Sequence, residues 1–403
     1  MRKRAVALAA VTATASNIVM AQSAVTLYGI VDAGIGYQSS QTSLGSTAGG
    51  RSSFKMLNGV WAGSRFGMTG KEDLGAETAA IFTLESGFNS TTGAVAYSGT
   101  MFGKQSFIGV TNPHYGTLTF GRQYTPYYTL LFPYAPTKWL GGYAGAHPGD
   151  IDSLDTLYRV NNQIVYISPT YRGLTIGGSY AIGGVPGSFD RGSTYNAAVQ
   201  YTNGTFGIAA GFQRINNSTL GGGAWGSEST ANTPGEPAVS AINYGYRNAQ
   251  AQQRVAVDGA WVFSPSFDVS LSYSNVQYVP GINSGFKDEA IFNTVGGVVH
   301  WKPSVTLDIA GGYSYTSASK ANGISNSARY HQFSMAQYYA VSKRTGFYFV
   351  EGYQRALGQT FNVNASGTTG IIRASASVGD GMNNAPSSSA SQFFAALGII
   401  QKF

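Results

Sequence analysis

Residues 391–403 read SQFFAALGIIQKF and carry the chain to Phe403. Phe393, Ala395, Leu397, Ile399 and Gln401 share one parity with Phe403, the two-residue period of a β-strand with one apolar face. A strand in this position leaves a row of backbone N–H and C=O groups unpaired unless another strand covers it. Residues 24–38 offer the matching pattern, with Val25, Leu27, Val31, Ala33, Ile35 and Tyr37 on one parity and Thr26, Tyr28 and Asp32 on the other. Pairing the two segments closes the sheet, so the expectation is a barrel with its apolar face outward and Asp32 inward.

Composition agrees with a wall of this kind. Charged residues are 11% and hydrophobic residues 43% of the 403, with Gly 54, Tyr 26 and Phe 22, far fewer charges than soluble domains use. The composition is uniform, so one large domain is expected. Beyond the amino-terminal stretch no apolar run is long enough for a membrane helix, and a closed barrel is the other structure that satisfies every backbone group in a bilayer. Arg2, Lys3 and Arg4 precede a small and apolar run over 5–15, with Val19-Met20-Ala21 after it. This reads as a signal peptide over 1–21, with a mature chain 22–403 beginning at Gln22. Its removal takes three basic residues from the formal +7 and leaves +4, too little for a nucleic-acid surface. There is no Cys, so neither disulfides nor a thiolate metal site is expected.

Between the two ends the alternation recurs. Strands are expected over 64–72, 78–88, 103–111, 117–124, 163–170, 174–182, 193–201 and 206–214, then over 253–263, 267–279, 291–301, 305–316, 329–341, 346–356 and 391–402. With 24–38 these make sixteen, an even number suited to antiparallel closure. Every second connection is short, as in Asn203-Gly204, Ser264-Pro265 and Lys302-Pro303-Ser304, with residues suited to tight turns. The alternate connections, 39–63, 124–162, 216–252 and 357–390, are long, and 39–63, 216–252 and 357–390 read as surface loops. Short turns at one rim and long loops at the other are the arrangement of outer-membrane barrels. Tyr115, Tyr171, Phe206, Phe263, Phe267, Trp301, Phe347 and Phe403 lie beside the short turns, where an interfacial aromatic girdle belongs.

Several stretches, in this order, resemble one family: AVTLYGIVDAGIGY (24–37), SRFGMTGKEDLGAETAAIFTLESGF (64–88), LTFGRQYTP (118–126), RVNNQIVYISP (159–169) and the final Phe403. They resemble the general-diffusion porins of β-proteobacteria such as Burkholderia and Bordetella. The resemblance implies an outer-membrane homotrimer of sixteen-stranded barrels, in contact with lipid and lipopolysaccharide, each with a water-filled pore for small hydrophilic solutes and ions. It also implies a third loop folded into the lumen and a terminal aromatic read by the outer-membrane assembly machinery. The chain departs from the family at Ile400-Gln401-Lys402-Phe403, where Arg-His is common, but keeps the aromatic.

Candidate pore residues follow. The loop 124–162 carries Pro126, Pro133, Pro136 and Trp139, and a connection of this length and apolar content is poorly suited to free solution. Folded inward, it would present Asp150, Asp152 and Asp155 to the passage. Arg65 shares the mixed parity of Thr69 and Lys71 while Phe66 and Met68 take the lipid parity, so the alternation itself turns Arg65 inward. Lys104 falls where the family has an inward basic residue, and Arg159 opens the RVNN segment. Arg122 shares parity with Leu118 and Phe120 and either lines the pore or meets a neighbouring subunit. Glu85 and Asp32 add lumenal negative charge. Acidic loop against basic wall makes a transverse field acting over about 8–10 Å, and the basic excess favours weak anion selectivity.

Other classes fare less well. His114, His147, His300 and His331 lie in no nucleophile or metal-binding motif, and Gly221-Gly222-Gly223 lacks the lysine and strand-to-helix setting of a phosphate loop. No catalytic residue and no cofactor is expected. An adhesin-like barrel is one alternative. A substrate-specific channel, with Trp139, Tyr127, Tyr128, Tyr134 and Tyr143 as an aromatic slide, is the nearer rival.

Overall fold

The computed structural model describes residues 24–97, 99–155, 158–231, 239–363, 369–381 and 383–403, so the expected signal segment 1–21 and the cleavage point at Gln22 lie outside the described residues. The first half of the chain forms β1 (Ala24–Gln41), β2 (Arg51–Asn58), β3 (Arg65–Gly75), β4 (Thr78–Gly87), β5 (Gln105–Asn112), β6 (Gly116–Gln123), β7 (Val160–Ile167), β8 (Leu174–Ala181), β9 (Thr194–Thr202) and β10 (Phe206–Asn216). The second half adds β11 (Ala251–Ser264), β12 (Phe267–Val279), β13 (Ala290–Ser304), β14 (Leu307–Ala318), β15 (Arg329–Ala340), β16 (Thr345–Leu357), β17 (Gln359–Val363), β18 (Thr369–Arg373) and β19 (Ser391–Lys402). Between β6 and β7 lie two short helices, α1 (Pro126–Leu131) and α2 (Gly142–Gly145).

Antiparallel neighbours run in chain order and the seam closes: β1 pairs β19 from Ile30↔Lys402 to Gln38↔Phe394. The outward side chains are those of the apolar parity, among them Val25, Leu27, Ile35, Leu397 and Ile399, all exposed. The inward side is polar and largely buried, with Ser272, Ser274, Thr294, Gln332, Gln354 and Gln392. Lipid outside and water inside reverse the polarity of a soluble sheet.

The second wall position differs from the sequence expectation. Residues 39–63 are not simply a loop, because β1 runs on to Gln41 and β2 pairs with its far half, Ala33↔Asn58 to Gln41↔Arg51. The near half of β1 pairs with β3, Ala24↔Lys71 to Ile30↔Arg65. The two segments thus share one of the sixteen wall positions, separated by a break over 59–64. Gly59 and Gly63 take φ of +64° and +56° there, a region costly for other residues. The break turns inward around Asp32. The Asp32 carboxylate accepts the backbone N–H groups of Trp61 and Ala62, each at 2.8 Å, and the Ser64 hydroxyl donates to the Asp32 carbonyl at 2.9 Å. Asp32 is therefore a buried structural anchor, not an open lumenal charge.

Residues 357–390 also do more than cross a surface. β17 and β18 form a separate hairpin, and 374–380 turns inward, largely buried. Short turns close as expected: at Asn203 the side-chain oxygen accepts the N–H groups of Thr205 and Phe206 at 3.2 and 2.8 Å, the Asx geometry that favours Asn in turns.

Candidate functional site in the barrel lumen

The connection from Tyr124 to Arg159 lies against the inner wall. Pro126 stands in the first turn of α1 and Thr125 caps it, its hydroxyl accepting the Tyr128 N–H at 3.4 Å. Proline there sacrifices no helical hydrogen bond. One face of α1, with Tyr127, Leu130 and Leu131, packs on the small inward residues Ala198, Ala209 and Ala256 of β9, β10 and β11. Those alanines leave the room that the helix occupies.

Polar ties fix the rest of the loop. The Arg254 Nε on β11 donates to the Ile151 carbonyl at 2.8 Å. On β12, Ser274 donates to Asp152 Oδ2 at 2.7 Å, and His147 Nδ1 meets the same oxygen at 2.7 Å. Gln332 of β15 donates from Nε2 to the Ala146 carbonyl at 2.7 Å. Gln332, Gln354 and Gln392 also grip the inward segment of the last long connection. Their side-chain oxygens accept the N–H groups of Gly379, Ser377 and Val378 at 2.9, 2.8 and 2.7 Å. The two inserted segments touch each other directly, with Gly149 N donating to the Gly379 carbonyl at 2.8 Å and Asp380 N to the Tyr143 carbonyl at 3.0 Å.

The candidate residues divide into two groups. Arg65, Lys104 and Asp155 border two adjoining cavities: Lys104 and Asp155 the one beside Gly59, Trp61, Tyr97 and Tyr143, and Arg65 and Asp155 the other, with Glu85, Tyr124, Tyr128, Phe132 and Lys138. Arg65 Nη1 donates to the Ala62 carbonyl at 2.8 Å, and its Nε lies 3.5 Å from Glu85 Oε2, which also accepts the Tyr28 hydroxyl at 2.9 Å. Burial, and after it the guanidinium groups of Arg159 and Arg65, pushes the Lys104 ammonium well below its ordinary pKa.

The second group lines neither of these cavities. Arg159 is fully buried, with Nη1 on the Tyr97 hydroxyl at 2.7 Å, Nη2 on the Tyr124 hydroxyl, and its guanidinium 4.6 Å from the Tyr124 ring centroid. Arg122 is buried too, its Nε donating to the Gly103 carbonyl at 2.8 Å and its Nη1 to Asn161 at 2.6 Å. Asp150 accepts the Asp155 N–H at 2.9 Å. Burial, then the carboxylates of Asp155 and Asp152, holds the Asp150 carboxyl well above the usual range. Burial also disfavours the charged Asp152, but the His147 imidazole and the Ser274 hydroxyl outweigh it and hold that carboxyl low. Asp150 and Asp152 thus fasten and shape the loop, while Asp155 lines both cavities.

Sequence reasoning did not single out Trp61, Lys138 or the three glutamines. Trp61 projects from the break toward Tyr338 and Tyr348, with ring centroids 5.0 and 5.7 Å apart, and lines both cavities. Lys138 was legible only as a basic residue inside the inserted loop.

Comparison with known proteins places this architecture. A family model described as Gram-negative porin matches residues 5–359. An outer membrane porin protein of Bordetella pertussis is 32% identical over 237 residues, 54% of this chain and 60% of that protein. Outer membrane porin protein 32 of Delftia acidovorans is 31% identical over 189 residues, 45% of this chain and 50% of that protein. The chain therefore aligns with little more than half the length of these relatives. Among solved structures, the anion-selective porin from Comamonas acidovorans has a TM-score of 0.67 at 18% identity, covering 95% of this chain and all of that one. OmpT of Vibrio cholerae in its trimer form has a TM-score of 0.61 at 15% identity, over 94% and 99% of the two chains. At such identities the structural likeness speaks for the fold. With the family model spanning most of its length, the chain belongs to the Gram-negative porin family.

Proposed function

We propose that the protein is a passive diffusion channel of the outer membrane for small hydrophilic solutes and ions, with a weak preference for anions. The observation that carries this reading is the pair of adjoining cavities between the inserted loop and the wall. Their lining sets the basic Arg65 and Lys138 against Glu85 and Asp155, with the buried Lys104 beside them. Charges of both signs across a narrow passage orient dipolar solutes, and the positive formal charge of the chain supports the anion side of the preference. Arg122, Arg159, Asp150 and Asp152 act one layer behind, holding the loop that sets the aperture.

The working unit is a homotrimer in this reading. Phe54 and Met56 are exposed on β2, whose only ladder partner among the described residues is β1. An uncovered apolar edge of this kind calls for a partner surface. Phe403 serves as the tag for the assembly machinery, and outer-membrane lipid with lipopolysaccharide covers the remaining apolar face. The test is reconstitution of the purified protein in planar lipid bilayers. Discrete conductance steps rising linearly with salt, with a reversal potential of weakly anionic sign under a potassium chloride gradient, are expected. Absence of conductance sinks the channel reading, and a strongly cationic potential sinks the selectivity.

A further inference from the structure

We propose that the second cavity is a built subsite for planar aromatic carboxylates, with benzoate as the simplest probe. This inference rests on the channel reading above and names a class of solute that the channel holds in transit. Tyr124, Tyr128 and Phe132 stand four residues apart through the α1 turn and form a ladder. Successive centroids are 4.9 and 5.0 Å apart and the ring planes 27° and 29° from parallel. All three rings line the cavity, which encloses about 370 Å³ and is bordered also by Trp61, Arg65 and Lys138. That volume lies within the usual range of about 300–1,000 Å³ for small-molecule sites.

The chemistry selects both parts of the ligand. An aromatic ladder gives a planar ring offset-stacked or edge-to-face contacts that an aliphatic ring of equal size cannot match. The charges admit an anion. Of the two carboxylates on the lining, Glu85 is engaged by Arg65 and by the Tyr28 hydroxyl, and Asp155 is buried. Lys138 makes no ion pair among the described residues: its ammonium lies 3.3 Å from the Pro133 carbonyl and 4.6 Å from the Trp139 ring centroid. Lys138 and Arg65 both line the cavity, and the contacts of Arg65 to Ala62 and Glu85 use Nη1 and Nε. A carboxylate between Lys138 and Arg65, with its ring against the ladder, meets complementary groups at both ends.

The experiment is ion-current recording on the full reconstituted protein, adding benzoate, cyclohexanecarboxylate or benzyl alcohol to one side. Benzoate should half-block the current at a concentration about fivefold below either competitor, the scale of an aromatic contact or a partly screened charge. Tyr128→Leu and Lys138→Gln should each weaken benzoate block by a similar factor, with folding checked by heat-modifiable gel migration. Equal block by benzoate and cyclohexanecarboxylate on the unaltered protein overturns the aromatic assignment, and equal block by benzoate and benzyl alcohol overturns the anionic one. These comparisons need no variant to fold. An open channel without selective block defeats this inference alone, whereas a protein that conducts nothing defeats the channel reading beneath it.

Discussion

The Tyr348 hydroxyl donates to Asp32 Oδ1 at 2.6 Å, tying β16 to β1 across the closing strand β19. The Tyr348 ring crosses β19 at Gly398, where a Cβ would fall 2.1 Å from the phenol oxygen. One carboxylate thus fastens the seam of the barrel and the inward break at 59–64 together.

Asp32→Ala should destabilise the barrel by more than Tyr348→Phe. The former leaves the N–H groups of Trp61 and Ala62 without their acceptor, at about 1–3 kcal/mol for each unsatisfied group, and the latter removes one hydrogen bond to a charged group, about 1.5–3 kcal/mol. Urea unfolding in lipid vesicles measures both. Wild-type midpoints for the two variants would show that the carboxylate is not an anchor.

Selectivity should follow the charges bordering the cavities. One unit charge acting at about 8 Å in water is worth roughly 0.5 kcal/mol, so Arg65→Gln or Lys138→Gln should lower the anion-to-cation permeability ratio about twofold. Glu85→Gln should raise it by a similar factor. Reversal potentials under a salt gradient read the ratio directly, and unchanged values in all three variants would remove these residues from the ion path.

The loop anchor at Asp152 should depend on pH with a definite sign. Its carboxyl is held below the ordinary value of 3.8, so its stabilising contribution is full above that value and is lost as pH falls through the lowered one. Asp152→Asn should therefore reduce stability at neutral pH and by much less at about pH 2. Asp150 carries the opposite sign and is raised in part by Asp152, so the comparison is made in an Asp150→Asn background and followed by thermal unfolding. A deficit that does not shrink on acidification would contradict the assignment.

Phe403 exchanges two backbone hydrogen bonds of 3.1 Å with Gly29 at the foot of the seam. Deleting it should cut folded protein in the outer membrane several-fold while export continues, as measured by surface labelling against total exported protein. Unchanged surface levels would show that the terminal aromatic is no assembly tag.

Alternation made most of the wall legible, because in a barrel the face that meets lipid must be apolar at every second residue. The expected strands 267–279 and 391–402 coincide with β12 and β19. β2 escaped because its eight residues are bounded by glycines and take the far half of a strand, β1, whose near half pairs with β3. The inward turn of 374–380 escaped for another reason. What holds it is not periodic: single glutamines on three different strands reach its backbone, and nothing local marks which of many polar inward residues will do so. The same holds for Asp152, whose Ser274 partner stands on β12, far away in sequence.

Gln332, Gln354 and Gln392 bind the inserted segments through neutral amides and peptide groups. Such ties are indifferent to ionic strength, whereas the field of Arg65 and Lys138 is screened by it. Salt can therefore mute the preference for one ion sign without loosening these glutamine ties, and substitutions can retune that preference without touching them. Calibre and polarity are separately adjustable properties of this channel.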